Sequence, residues 1–318
     1  MKKPLICCVA LTTLLCAGVG LSGCVASQED HAENDSVDSE FADVRYDAPK
    51  ERVLVAAGGS DEKDSREIVC WGDSMTEGAG RDSAVITTGG GVFDASYLSY
   101  PEVLQKLTGI TTCNFGVSGA TSEEIGIMQG GIKANRKDAS IVVDEEVVEL
   151  AKRHPGTILV LEIGSNGGWG GDYATLIEQY RAIIKNSGCE NFIIIGDTDD
   201  PGTSYGDWKQ EAFEPGEGGR QTDWETALAA EFGDHFINMR QFLIEDGLET
   251  AGLVPTDEDA EDAAAGCISM QLRSDWTHLN SYGYYAKAQA VYQRGVQLGY
   301  WFMQSAQEVN IMFSDCKS

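Results

Sequence analysis

The sequence predicts an α/β domain built on a parallel sheet with helices on both faces. Three observations carry this. Short apolar runs rich in β-branched residues recur at 68–71, 111–115, 157–163, 191–195 and 235–238. Helical patterns lie between most of them, and strand alternating with helix implies a parallel sheet covered on both sides. The run at 157–163 is continuously apolar, as in a strand buried on both faces. A chain of 318 residues is long enough for one such core plus flanks. Open sheets of this kind carry their functional loops beyond the C-terminal ends of the strands.

The first 23 residues read as an export leader. Lys2 and Lys3 precede an apolar run from Leu5 to Leu21, which ends in Leu21-Ser22-Gly23-Cys24. Residues 25–66 hold 12 acidic and five basic residues and few aromatics, the composition of a disordered tether. The organisation expected is therefore a leader at 1–23, a tether at 24–66 and one folded domain at 67–318.

Within the domain, the strand at 68–71 runs into Gly72-Asp73-Ser74. Residues 81–99 are Gly-rich and read as irregular. Tyr100-Pro101 opens a short helix through Leu107. The strand at 111–115 ends in Gly116-Val117-Ser118-Gly119, and Thr121 to Glu124 reads as a capping box starting a helix. A helix at 145–153 stops at His154-Pro155-Gly156. The strand at 157–163 ends in Gly164-Ser165-Asn166-Gly167. An amphipathic helix follows at 173–185, with Leu176, Tyr180 and Ile183 on one face. Beyond the strand at 191–195, residues 199–221 and 254–266 read as loops. Helices are expected at 224–231, 240–248 and 282–298.

The net charge is −28, from 23 basic and 51 acidic residues. This argues against nucleic-acid binding, which depends on neutralising phosphates. It also argues against electrostatic adsorption to anionic lipid. Of nine cysteines, three lie in the leader, one is Cys24 and five lie in the body, with no C-x-x-C spacing there, so a thiolate metal site is not expected; no cofactor is expected either. Export permits disulfides, and Cys267 and Cys316 flank the segment Asp275–His278, where a bridge would pin the C-terminal tail.

Ser74 follows a strand end, where a nucleophile can meet a ligand, although Gly-Asp-Ser alone is equally a plain turn. A nucleophilic serine needs a base, a carboxylate to orient it and donors for an oxyanion. The chain has four histidines. His31 falls in the tether, His154 in a helix stop and His235 at a strand start. His278 lies in Ser274-Asp275-Trp276-Thr277-His278, three residues after Asp275. That spacing puts carboxylate and imidazole side by side, and also suits a surface capping pair.

Four blocks together resemble the SGNH, or GDSL-type, hydrolases. They are Gly72-Asp73-Ser74-Met75-Thr76, Asn114-Phe115-Gly116-Val117-Ser118-Gly119, Gly164-Ser165-Asn166 and Asp275-Trp276-Thr277-His278, in the family's order across the body. The resemblance implies a three-layer α/β/α sandwich with a five-stranded parallel sheet, a flavodoxin-like arrangement. It implies Ser74 as nucleophile, His278 as base and Asp275 as its partner. It implies an oxyanion hole from the backbone N–H groups of Ser74 and Gly119 and the side-chain amide of Asn166. One position departs: Gly167 stands where the family usually has Asp, a carboxylate read as support for the loop. The Leu-Ser-Gly-Cys segment resembles a bacterial lipobox, which implies lipidation of Cys24 and anchorage on the outer face of a bacterial membrane. An ordinary leader is the other reading.

The expected activity is that of a serine esterase acting on acyl or acetyl esters, with cell-envelope or extracellular glycans favoured by export. An O-acyltransferase on the same triad and a non-catalytic glycan-binding lipoprotein are the rivals. Trp71, Trp169 and Trp276 lie beside the catalytic segments, either packed inside or free to stack on sugar rings.

Overall fold

The computed structural model describes residues 66–89, 91–134, 156–198 and 222–302. The leader, Cys24, the tether to residue 65, the helix expected at 145–153, the loop at 199–221, His31, His154 and Cys316 lie outside them. So does any test of a Cys267–Cys316 bridge.

Five strands form one parallel sheet: β1 (Glu67–Gly72), β4 (Thr111–Gly116), β5 (Ile158–Leu161), β6 (Asn191–Ile195) and β7 (Phe236–Ile237), in the order β4-β1-β5-β6-β7. Successive residues of β1 point to opposite faces, as the period of a strand requires. Ile68 and Cys70 enter one core with Tyr100, Leu104, Leu243, Tyr284 and Val291. Val69 and Trp71 enter the other with Ile125, Leu176, Tyr180, Ile183 and Leu228. The first face is covered by α2 (Tyr100–Thr108), α6 (Met239–Glu245) and α9 (Ser281–Gln297). The second is covered by α3 (Ser122–Gln129), α4 (Tyr173–Ser187) and α5 (Asp223–Phe232). This is the three-layer α/β/α sandwich with a five-stranded parallel sheet. The chain leaves β1 for one neighbour, β4, and later fills the other side with β5. The end of β1 is therefore a topological switch point, where such sheets open a crevice.

Helix starts follow the sequence closely. Thr121 caps α3 and Glu124 completes the reciprocal capping box. Two stretches read as irregular are ordered elements. Residues 81–99 contain an antiparallel hairpin, β2 (Val85–Thr88) with β3 (Gly91–Asp94). Ile86 and Phe93 pair across it and turn into the core, while Val85 and Val92 face out. The alternation is short and broken by glycines, which masked it. The segment at 254–266 contains α8 (Asp257–Ala264), started by a box in which Thr256 and Asp259 cap each other. The helix expected at 240–248 is two, α6 and a single turn, α7 (Gly247–Thr250).

One buried ion pair ties the sheet to α9. Lys287 is 0 % exposed, and its Nζ lies 2.6 Å from each oxygen of Glu162, just past the end of β5. Burial pushes the Glu162 carboxyl up to about 7, with the Lys287 ammonium pulling it back down. Removing one partner of such a pair leaves an uncompensated buried charge, at a cost of about 3–5 kcal/mol. Lys287→Met is expected to lose that much stability in denaturant melts at pH 7. Lys287 lowers the Glu162 pKa, so without it the folded variant binds the proton more fully than the wild type, gains more stability on acidification, and the deficit should shrink as pH falls from 7 toward 5. A deficit that grows on acidification would show that the pair is not the origin of the effect.

Candidate active site

The nucleophile candidate sits at a tight junction. β1 ends at Gly72, and Ser74 opens the one-turn helix α1 (Ser74–Glu77). Asp73 is the N-cap: its Oδ1 accepts the Met75 N–H at 2.9 Å. Ser74 is then the first helical residue, whose N–H has no acceptor inside the helix. The helix backbone presses on β4. A Cβ on Gly116 would stand 2.0 Å from the Glu77 nitrogen, so only glycine fits there. Asn114 donates to the Thr76 carbonyl at 3.0 Å. Glu77 accepts from both the backbone N–H and the hydroxyl of Ser118. The glycine block is thus fastened to the helix that carries Ser74.

His278 arrives from the other end of the chain. Its Nε2 lies 3.0 Å from Ser74 Oγ, and its Nδ1 lies 2.9 Å from Asp275 Oδ2. Asp275 Oδ1 also accepts the N–H groups of Thr277 and His278 at 2.8 and 2.7 Å. Partial burial pushes the Asp275 carboxyl up, but the His278 N–H, the His278 ring and the Thr277 N–H outweigh it and hold the pKa at about 2. The buried Arg273 braces the turn, donating from Nη1 to Trp276 O at 2.7 Å and from Nη2 to Thr198 O at 3.2 Å. Beyond it, Ser281 exchanges bonds with Asp82, and Tyr284 donates to Ala79 O at 2.6 Å. These contacts stitch the start of α9 to the segment that leaves α1.

The third loop converges on Asp73. Ser165 Oγ donates to Asp73 Oδ2 at 2.6 Å, and Asn166 Nδ2 donates to the same oxygen at 3.1 Å. Asn166 Nδ2 also reaches Ala120 O at 3.3 Å. Both amide hydrogens therefore have protein acceptors, one of them at long range. Gly119 has φ +75° and stands in open space on the same side. Gly167 has φ +78°, and its carbonyl accepts from the N–H and the hydroxyl of Ser122 at the start of α3. The loop support that the sequence assigned to a missing carboxylate comes instead from Asp73 and Ser122. A side chain at residue 167 would have to adopt a left-handed conformation that costs roughly 1–2 kcal/mol.

Ser74, His278, Asp275, Gly119 and Asn166 thus gather at the ends of β1, β4 and β5 and in the last turn before α9. His235 belongs elsewhere: its Nδ1 lies 2.9 Å from Phe192 O and its ring stacks on Phe192, at the start of β6. Trp71 is buried against Phe115, and Trp169 is buried against Trp224 with its Nε1 on Gly164 O. Both are packing residues, whereas Trp276 is 77 % exposed. Sequence reasoning passed over Asp73, Glu77 and Arg273. Asp73 carried a readable mark, an N-cap residue before a helix; the partners of Glu77 and Arg273 are distant in sequence and left no local pattern.

No curated protein matches the chain. Solved structures that the chain matches include an acetylxylan esterase, Axe2, from Geobacillus stearothermophilus, at 15 % identity and TM-score 0.41, with 73 % of this chain and 94 % of that one covered. Another is a member of the lipolytic G-D-S-L family from Veillonella parvula DSM 2008, at 15 % identity and TM-score 0.39, covering 72 % and 97 %. A salicylyl-acyltransferase of a tetracycline biosynthetic pathway, SsfX3, is matched at 14 % identity and TM-score 0.40, over 77 % of this chain and 58 % of that one. The model of the GDSL-like lipase/acylhydrolase family matches residues 70–286, from the strand before Ser74 to the helix after His278, and the chain belongs to that family.

Proposed function

We propose that the chain is a serine esterase or acylhydrolase that cleaves carboxylic esters, with Ser74 as nucleophile, His278 as general base and Asp275 as its orienting carboxylate. The observation that carries this reading is the unbroken relay from Ser74 Oγ to His278 Nε2 at 3.0 Å and from His278 Nδ1 to Asp275 Oδ2 at 2.9 Å. The low pKa of Asp275 keeps it anionic, so it fixes the ring with Nδ1 protonated and Nε2 free to accept.

In acylation, Ser74 Oγ attacks the ester carbonyl carbon while His278 Nε2 takes its proton. The carbonyl oxygen becomes an oxyanion. The intermediate collapses, the bond to the alcohol oxygen breaks, and the imidazolium returns the proton to that oxygen. Water then attacks the acyl-serine with the same base, releasing the carboxylic acid and restoring Ser74. The donors for the oxyanion are the N–H groups of Ser74 and Gly119 and the amide of Asn166. Asn166 keeps one hydrogen on Asp73 and transfers the other from Ala120 O to the oxyanion, the longer of its two bonds being the one exchanged. The substrates we infer are acyl or acetyl esters on cell-envelope or extracellular glycans. This rests on the export leader, the tether at 24–66 and lipidation at Cys24, which would hold the catalytic domain at 67–318 on the outer face of a membrane.

A fluorophosphonate probe should label the protein at Ser74, and Ser74→Ala should lose both labelling and ester cleavage; labelling that persists in the variant excludes Ser74. In the same assay Asn166→Ala should lower kcat toward the lower end of about 10²–10³-fold with KM little changed, since its donor must first leave Ala120. An unchanged kcat in a folded variant removes Asn166 from the oxyanion hole. Cys24→Ala should release the protein from membranes or block its processing. A mature N-terminus that is unmodified and lies well beyond Cys24 would exclude the anchor.

A further inference from the structure

We propose that Trp276 forms the subsite for the alcohol portion of the ester, and that this portion is a neutral sugar ring. The proposal rests on His278 being the base that protonates the leaving oxygen. That oxygen must come within hydrogen-bond reach of His278 Nε2. The group attached to it therefore lies on the His278 side of Ser74, and Trp276 stands two residues before His278 in the same turn.

Of the five tryptophans among the described residues, Trp71, Trp169, Trp224 and Trp301 are buried, and Trp276 alone is open, at 77 % exposure. The backbone beneath this indole is fixed. Arg273 Nη1 holds the Trp276 carbonyl, Asp275 Oδ1 holds the two following N–H groups, and Ser274 N–H donates to His278 O at 3.0 Å. An aromatic carried on a rigid turn binds a ligand face with little ordering cost. The same contacts that orient the base therefore also fix the backbone that carries the indole.

The chemistry of the occupant follows from the flat, open face. One exposed indole matches the C–H face of a pyranose. A long alkyl chain gains its affinity from enclosure of its apolar area, which a single open ring does not supply. The net charge of −28 disfavours anionic glycans, and stacking on the indole face requires no charge on the ring.

The test compares the full-length wild type with Trp276→Ala and Trp276→Phe on three acetyl esters: cellobiose octaacetate, ethyl acetate and dodecyl acetate. All three pass through one acetyl-enzyme, so any difference arises while the alcohol is still attached. Trp276→Ala is expected to lower kcat/KM on the sugar ester about tenfold and to leave ethyl acetate within about twofold, with Trp276→Phe recovering most of the loss. Equal losses on the sugar ester and ethyl acetate, or no loss on the sugar ester, overturn the subsite. A loss confined to dodecyl acetate overturns the sugar and assigns a lipid alcohol. Failure of the esterase reading itself shows separately, as a wild type that hydrolyses none of the three, and overturns both.

Discussion

The site depends on one buried carboxylate that, among the described residues, has no cation in its hydrogen-bonding shell. Asp73 is 1 % exposed and accepts from Met75 N–H, Ser165 Oγ and Asn166 Nδ2. A buried carboxylate is costly unless its oxygens are satisfied. The cheapest way to satisfy these is to bring the loop after β5 against the loop after β1. Asp73 thereby does two things with one side chain. It caps α1, which aims Ser74 out of the sheet, and it gathers Ser165 and Asn166 to the same spot. The loop after β5 has a second hold, the Gly167 carbonyl on Ser122.

The base is positioned by a different set of forces. His278 is 204 residues from Ser74 in sequence, and no strand carries it. α9 brings it in: Lys287 anchors the helix to Glu162 just past the C-terminal end of the central strand β5, and Ser281 and Tyr284 fasten its first turns to Asp82 and Ala79. Arg273 then closes the turn from the other side. Ser74, the proposed nucleophile, is therefore set by sheet topology, and His278, the proposed base, by helix docking. A loss at Lys287 reaches the site by two routes, through α9 and through Glu162, whose Oε2 lies 3.5 Å from Thr76 Oγ1 in the helix that carries Ser74.

This division explains what was legible in the sequence. The strands, the capping box at Thr121 and the placement of Ser74, Gly119 and Asn166 are local patterns, and each is where the pattern put it. The pairing of Asp275 with His278 was local too. What failed was either too short or too distant. Ile86 and Phe93 alternate over only four-residue strands interrupted by glycine, so the hairpin was hidden. The box at Thr256 uses Asp259 where Glu is the commoner partner, and the acidic composition around it suggested a loop. A fully buried lysine contradicts ordinary expectation, and only its partner at Glu162 makes it tolerable. The direction of the Asn166 amide could not be read either, because its acceptors at Asp73 and Ala120 come from two other segments.

Three carboxylates, those of Asp73, Glu162 and Asp275, surround a site where the proposed reaction creates a fourth negative charge. Each is answered locally. Glu162 shares both oxygens with Lys287, Asp73 is answered by N–H and O–H dipoles, and Asp275 faces the imidazole that becomes a cation as the oxyanion forms. The charge on the imidazolium appears in the same step as the charge on the substrate, so the pair Asp275–His278 is compensated when compensation is needed. In the proposed reaction the oxyanion would be met by the dipoles at Ser74, Gly119 and Asn166, of which, among the described residues, the Asn166 amide alone has an acceptor to leave, Ala120 O. The Asn166 amide is thus the one donor whose contribution includes a cost, the bond given up at Ala120. That cost separates its share of the catalysis from the shares of the two backbone groups.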